Sequence, residues 1–274
     1  VDFRTGGPGV SGRPGKLYEL TRASQDGRRG GIERALAYPF SIPSGSYVFD
    51  GADAIPLDDY FSERGISFSE LISGRTPVLA VGSNASPYQL RTKRDCYSLF
   101  GEIPVIKARL SGFDVVYSAR ITSYGSVPAT LRPSPGTAVD LFVTFLNKEQ
   151  LYPMDKSENA HRKNGNYRRE LFTGGGLEME GEFDPDEMWV YQSNRGCLLT
   201  GGECAALSAI SARGRRFPAM SQAEVQEWVR GDLAPGATLD EFIRENIGDR
   251  AIREARNERL KRWAREDDQV VEGG

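Results

Sequence analysis

Four small residues, Gly82, Ser83, Asn84 and Ala85, stand between an apolar run and a helix start, and the chemistry they offer is that of backbone N–H donors. Val78 to Val81 reads as a buried strand. Ser86, Pro87 and Gln89 supply an N-cap, a first-turn proline and the third-position glutamine of a capping box, which predicts a helix from Pro87. Gly82 lets the backbone turn there without a Cβ clash. A strand, a small-residue loop and a helix N-terminus aim unpaired donors and a positive dipole end at one point, which suits a carboxylate, a phosphate or a developing oxyanion. The same pattern also serves an ordinary strand-to-helix turn, so this segment alone selects no reaction.

Other reactive groups are sparse. His161 is the single histidine, which excludes a histidine-rich metal site and leaves a Ser-His-Asp triad only if His161 is its base. Ser83 with His161 lacks both an acid partner and nucleophile-elbow spacing. Cys96, Cys197 and Cys204 are an odd number in a long chain, and the last two match no zinc spacing, so reduced thiols in a cytoplasmic protein are expected. Gly9, Gly12, Gly15 and Lys16 miss the spacing of a phosphate loop, and Leu17 stands where a hydroxyl is needed. Read by itself, Glu158 in Met-Asp-Lys-Ser-Glu is a surface carboxylate.

Residues 129–158 change how these pieces read. Ala129-Thr130-Leu131 is followed by Pro135-Gly136 and Val139, Asn147 precedes Leu151, and Met154-Asp155 leads to Glu158. With Val81-Gly82-Ser83-Asn84, this order and spacing resembles the γ-glutamylcyclotransferase family over roughly residues 77–195. That family carries a Tyr-Gly-Ser-Asn loop, an Ala-Thr…Pro-Gly…Val hairpin, here Ala129 to Val139, and a Leu-Asp-x-x-Glu stretch. Val81 replaces the family's tyrosine and Met154 its leucine.

The resemblance implies an α+β fold built on a compact mixed β-barrel and an intramolecular aminolysis that needs no cofactor. In it the α-amine of a γ-glutamyl group attacks its own γ-amide carbonyl, 5-oxoproline forms, and an amine or amino acid leaves. It implies Glu158 as general acid/base, Asp155 as a structural residue suited to capping the local turn, and Val81, Gly82, Ser83, Asn84 and Ala85 as the substrate loop. Tyr167 is expected as a wall or hydrogen-bond donor. A non-catalytic descendant of the same fold stays open beside this, with Val81 marking a lost substrate contact.

The elements that must position these residues follow from composition and punctuation. The chain has 274 residues, 39% of them hydrophobic and 27% charged, enough for a sizeable core. Its net charge of −3 recruits no nucleic acid, and no apolar run is long enough to cross a membrane. Strands are predicted at 105–110, 114–118, 140–145, 168–172 and 187–191, with Pro135-Gly136 as a turn and a short helix capped by Asn147 and Gln150. Three organisational units are expected: an arm over 1–75 whose first 31 residues are flexible, a catalytic unit over 76–195, and helices over 196–274. The arm also carries a helix over Leu57 to Arg64. Its aromatics Tyr38, Phe40, Tyr47 and Phe49 call for a packing surface, either the chain's own domain or a second copy in a homodimer. Capping boxes at Thr200/Glu203, Ser221/Glu224 and Thr238/Glu241 predict the C-terminal helices. The last places Ile252, Ala255, Leu260 and Trp263 on one face, with a Glu258–Arg262 pair outside.

Overall fold

Two long β-branched runs build the centre of the molecule, and the shorter elements dock along them. The computed structural model describes residues 27–174, 176–181 and 187–265. In chain order the elements are α1 (Gly27–Leu36), β1 (Tyr47–Phe49), β2 (Ala54–Pro56), α2 (Leu57–Arg64), α3 (Phe68–Ile72), β3 (Thr76–Ala80), α4 (Pro87–Tyr97), β4 (Ile103–Tyr117) and β5 (Ala129–Leu146). There follow α5 (Lys148–Ser157), β6 (Tyr167–Phe172), β7 (Leu177–Met179), β8 (Met188–Ser193), β9 (Cys197–Thr200), β10 (Glu203–Cys204), β11 (Ala206–Leu207), β12 (Ala212–Arg213) and β13 (Ala219–Met220). The last are α6 (Gln222–Leu233), α7 (Leu239–Gly248), α8 (Arg250–Leu260) and β14 (Ala264–Arg265). The sequence reading of a flexible start over residues 1–31 falls mostly on residues outside those described; from Gly27 the described chain forms α1.

The architecture is α+β, with a mixed sheet of 11 strands whose main path runs β13-β11-β4-β5-β3-β8-β6. β3 and β8 are parallel, as are β11 and β13, and the remaining pairs in it are antiparallel. Among the described residues no pairing joins the two ends, so the sheet is open where a closed barrel was expected. The reason lies in β4. One of its edges is taken by β5, and the other by β1, β7 and β11 in succession, while β6 pairs with β8 and with no strand of the other end.

The Ala129 to Val139 hairpin is also corrected. β5 runs straight through Pro135-Gly136 as partner of β4, and the register slips between Ser111 and Phe113, which face Ala138 and Pro133. Pro135-Gly136 is therefore the tip of an outward bulge, with Gly136 at φ 85° and a Ser134–Thr137 hydroxyl contact of 2.7 Å across its base. Turn chemistry marks a reversal or a bulge equally well; the partner strand decides which.

Alternation along the strands fills two cores. On β3 and at Val81 just beyond its end, Leu79 and Val81 face one side with Val143 and Val190, while Val78 and Ala80 face the other with Phe142 and Leu90. The first side is covered by α6 and α7 through Val225, Val229, Phe242 and Ile243, and the second by α4 and α5 through Leu90 and Met154. The aromatics of the expected arm pack on this same fold: Tyr47 and Phe49 sit in the second core on a strand paired with β4, and Tyr38 lies in the first.

Two of the three C-terminal capping boxes form, at Ser221/Glu224 and Thr238/Glu241. Thr200/Glu203 does not. Those residues face each other across a two-residue β-hairpin whose Gly201 and Gly202 both adopt positive φ, 65° and 92°. That hairpin brings Cys197 and Cys204 to a Cα–Cα distance of 5.8 Å as a disulfide, which corrects the expectation of reduced thiols; Cys96 is free and exposed. On α8 the buried positions include Arg256, Asn257 and Leu260 while Ala255 is exposed, and Glu258 pairs with Lys261 and Arg195 as Arg262 reaches Asp232. No helix among the described residues is long and apolar enough to cross a membrane.

Candidate active site

β3 ends at Ala80 and delivers the chain into a 3₁₀ turn over Ser83–Ala85 and then into α4 at Pro87. Ser86 is the N-cap by position, yet its hydroxyl donates to the Ser41 carbonyl at 2.9 Å and makes no cap bond, so the expected Ser86/Gln89 capping box is absent. Gly82 has an extended φ of −147°, and what requires glycine is proximity: a Cβ built there would lie 2.3 Å from the Tyr38 hydroxyl. Ala85 donates its N–H to the Gly82 carbonyl, accepts from Tyr47 at 2.7 Å and is buried in the core. The N–H groups of Ser83 and Asn84 have no acceptor among the described residues.

Glu158 is brought to this turn from the far end of α5, a helix begun by the Asn147/Gln150 capping box. Its side chain is 15% exposed. The Glu158 Oε1 atom accepts from Lys93 Nζ and, at 3.1 Å, from Asn84 Nδ2; Oε2 has no partner among the described residues. Lys93 is 2% exposed and also donates to Asn84 Oδ1 at 2.6 Å and to Met154 Sδ at 3.2 Å. A buried ammonium is costly unless paired, and here three acceptors surround it. One oxygen of the carboxylate is thus fixed in place and the other left open.

Asp155, one turn earlier, behaves differently. Its oxygens accept from Arg169 at 2.8 and 3.2 Å and from the Tyr191 hydroxyl at 2.8 Å, tying α5 to β6 and β8. The side chain does not cap the local turn as the sequence suggested. The longer link is stronger because a bidentate guanidinium and a phenol satisfy both oxygens. Burial, followed by the Asp155 charge, raises the Tyr191 phenol well above its ordinary range.

Glu158, Lys93 and Tyr191 line a cavity of about 490 Å³, together with Arg34, Tyr38, Arg120, Tyr124 and Tyr167, whereas Asp155 and Arg169 do not reach it. Val81, Gly82, Ser83 and Asn84 are on its wall, and Ala85 is not. Tyr167 spends its hydroxyl on the Ala129 carbonyl at 2.9 Å, so it serves as a wall. Burial and then the Glu158 charge push the Tyr124 phenol up to about 12, with Arg120 and Arg34 pulling the other way. Burial also raises Tyr38 and Tyr167. Among the described residues no three His, Cys, Asp or Glu side chains converge on a metal position.

Lys93, Tyr38, Arg34 and Arg120 escaped the sequence reading. Lys93 had a signal: with Pro87 and Leu90 it stands at i, i+3, i+6 on the buried stripe of α4, and a charge on an apolar stripe requires a partner. Tyr38 had none, since its approach to Gly82 depends on where the turn after α1 lands.

Neither a known protein family nor a curated protein sequence matches the chain. Among solved structures it is similar to a gamma-glutamyl cyclotransferase at 16% identity and a TM-score of 0.35, covering 73% of this chain and 94% of that one. It is similar to an uncharacterized protein from Homo sapiens at 15% identity and 0.32, covering 74% and 95%. A protein from Arabidopsis thaliana with a solution structure matches at 16% and 0.29, over 44% of this chain and 70% of that one.

Proposed function

We propose that the chain is a γ-glutamyl cyclotransferase-like lyase, converting a small γ-glutamyl amide to 5-oxoproline and a free amine or amino acid. The observation that carries this reading is the half-occupied Glu158 carboxylate, open at Oε2 and held beside the unpaired N–H groups of Ser83 and Asn84.

The chemistry needs little more. Glu158 Oε2 takes a proton from the substrate α-ammonium, and the freed amine attacks the γ-carbonyl carbon. As the new C–N bond forms, the carbonyl oxygen becomes an oxyanion, for which the Ser83 and Asn84 N–H groups are suitable donors. Collapse of the tetrahedral intermediate breaks the bond to the leaving nitrogen as Glu158 returns its proton there, and the ring nitrogen gives up its second proton to the departing amine, leaving a neutral lactam and an ammonium. Nucleophile and electrophile belong to one molecule, so folding the substrate supplies several kcal/mol of the rate enhancement. Lys93 and Asn84 fix the carboxylate's orientation. A binding-only descendant of the fold competes through Val81, which lacks the family hydroxyl, although the Tyr38 hydroxyl approaches the same loop from the opposite direction in sequence. The deciding experiment incubates the purified chain with γ-glutamyl amino acids and amines and follows 5-oxoproline by chromatography. Formation by the wild type and not by Glu158→Gln is expected; no 5-oxoproline from any compound rejects the lyase.

A further inference from the structure

The cavity is far more cationic than the chain that builds it. The sequence carries a net charge of −3, yet Glu158 is the one acidic residue on the cavity wall, against Arg34, Lys93, Arg120, Lys156 and Arg162. Lys93 is committed to Glu158, and Lys156 and Arg162 are exposed to water at the rim. Arg34 and Arg120 are the two half-buried cations left over.

Neither has a carboxylate partner among the described residues. The Arg34 guanidinium lies 5.0 Å from the Tyr124 ring centroid and 6.0 Å from that of Tyr88, and its Nε is buried without an acceptor. Arg120 lies 5.8 Å from the Tyr167 ring centroid. Aromatic faces hold a guanidinium in place but accept few of its five N–H donors. Two such groups, held by rings and short of acceptors, present the planar forks that match carboxylates.

The charges of a γ-glutamyl substrate leave one of them unmatched. Its α-ammonium is matched by Glu158, and its α-carboxylate neutralises one guanidinium at most. We propose that Arg34 and Arg120 form an anion subsite for the leaving group, selecting γ-glutamyl compounds whose departing amine carries a carboxylate over those that release a neutral amine. This rests on the lyase reading for the identity of the leaving group. Arg34 comes from α1, outside the residues 77–195 that carry the sequence resemblance.

The test uses a graded series on the full chain: γ-glutamyl-ethylamide, γ-glutamyl-alanine and γ-glutamyl-aspartate, whose leaving groups carry no, one and two carboxylates. kcat/KM should rise along the series, with about tenfold or more between the first two, the size of a charge-assisted hydrogen bond. Arg34→Gln and Arg120→Gln should each cut the alanine-to-ethylamide ratio about tenfold, and Arg→Lys at either position should restore part of it. A flat series, or a ratio indifferent to both substitutions, overturns the subsite. If none of the compounds is turned over, their dissociation constants from calorimetry keep the two readings apart. Affinity that rises with carboxylate count and falls in both glutamine variants supports the subsite without the lyase. Equal affinities, or no binding of any of the three, overturn it.

Discussion

Two buried ion pairs in this molecule are completed to different degrees. Asp114 is 0% exposed and accepts from Arg215 Nε at 3.0 and 3.2 Å, from Arg215 Nη2 at 3.0 Å and from the Val115 N–H at 2.8 Å. Arg215 spends a further donor on the Ile210 carbonyl. Every oxygen of that carboxylate is occupied, and the pair pins the β12–β13 connection to β4. Glu158 also meets a buried cation, yet both of its partners fall on Oε1 while Oε2 faces a cavity. A saturated pair can only hold; a half-saturated one can still exchange a proton. Asp155 shows that position in sequence does not set this, since it lies three residues from Glu158 and is saturated like Asp114.

The largest expected effect tests the open oxygen. Glu158→Gln keeps an acceptor for Lys93 and removes the base, so kcat of the folded fraction should fall roughly 10²–10⁴-fold, and the melting temperature should fall as well because the buried Lys93 ammonium loses its counter-charge. Near-normal turnover in steady-state assays would end the comparison and move attention to Asp155. The complementary substitution is Asp114→Ala, which strands the Arg215 guanidinium. It should cost about 3–5 kcal/mol in denaturant unfolding and leave kcat of the folded fraction alone. A loss of activity without loss of stability would show that the saturated pair is not merely structural.

Alkaline titration sharpens the contrast further. Unfolded phenols ionise near pH 10, whereas burial and the Glu158 charge delay Tyr124 to about 12. Deprotonation above pH 10 therefore favours the unfolded chain, so stability is held below pH 10 and lost as pH rises toward 12. Urea midpoints across that window should fall less steeply in Tyr124→Phe than in the wild type; identical slopes would mean the phenol ionises as readily folded as unfolded. The smallest effect belongs to Ser83→Ala, which retains the backbone donor and should lower kcat/KM by less than about 1.5 kcal/mol. A variant as inactive as Glu158→Gln would point to covalent catalysis by Ser83 instead.

Legibility varied with the range of the interaction. The helix over Leu57–Arg64 and the capping boxes at Asn147, Ser221 and Thr238 were readable because each rests on contacts within four residues. Thr200 and Glu203 show the same pattern and form a hairpin, because Gly201-Gly202 between them favours a reversal and β14 pairs with β9. Ser67/Glu70 is the reverse case, a capping box that forms around the short five-residue α3 with little apolar periodicity to announce it. In the site, loop and glutamate were found through motif resemblance, while the cations were not, since arginines at 34 and 120 look like any solvated charges until a cavity removes their water.

What the sequence determined by itself was local: which helices are capped by their own first turns, which small residues form the turn after β3, and which glutamate the family pattern singles out; strand extent was not, since the runs expected at 105–110 and 114–118 are one strand and 140–145 is the end of one that starts at Ala129. What only the tertiary structure decided was the state of each charge. Lys93 stands on the buried stripe of α4, and its partner is Glu158 because α4 and α5 pack on the same face of the sheet. Tyr38 reaches the cavity because the turn after α1 docks against β5, where the Ala129 N–H donates to the Tyr38 hydroxyl at 2.9 Å, and α1 brings Arg34 to the same wall. Backbone preferences act over a few residues and are written in order along the chain, whereas burial and ion pairing depend on which surfaces exclude water together, and that is settled only when distant segments meet.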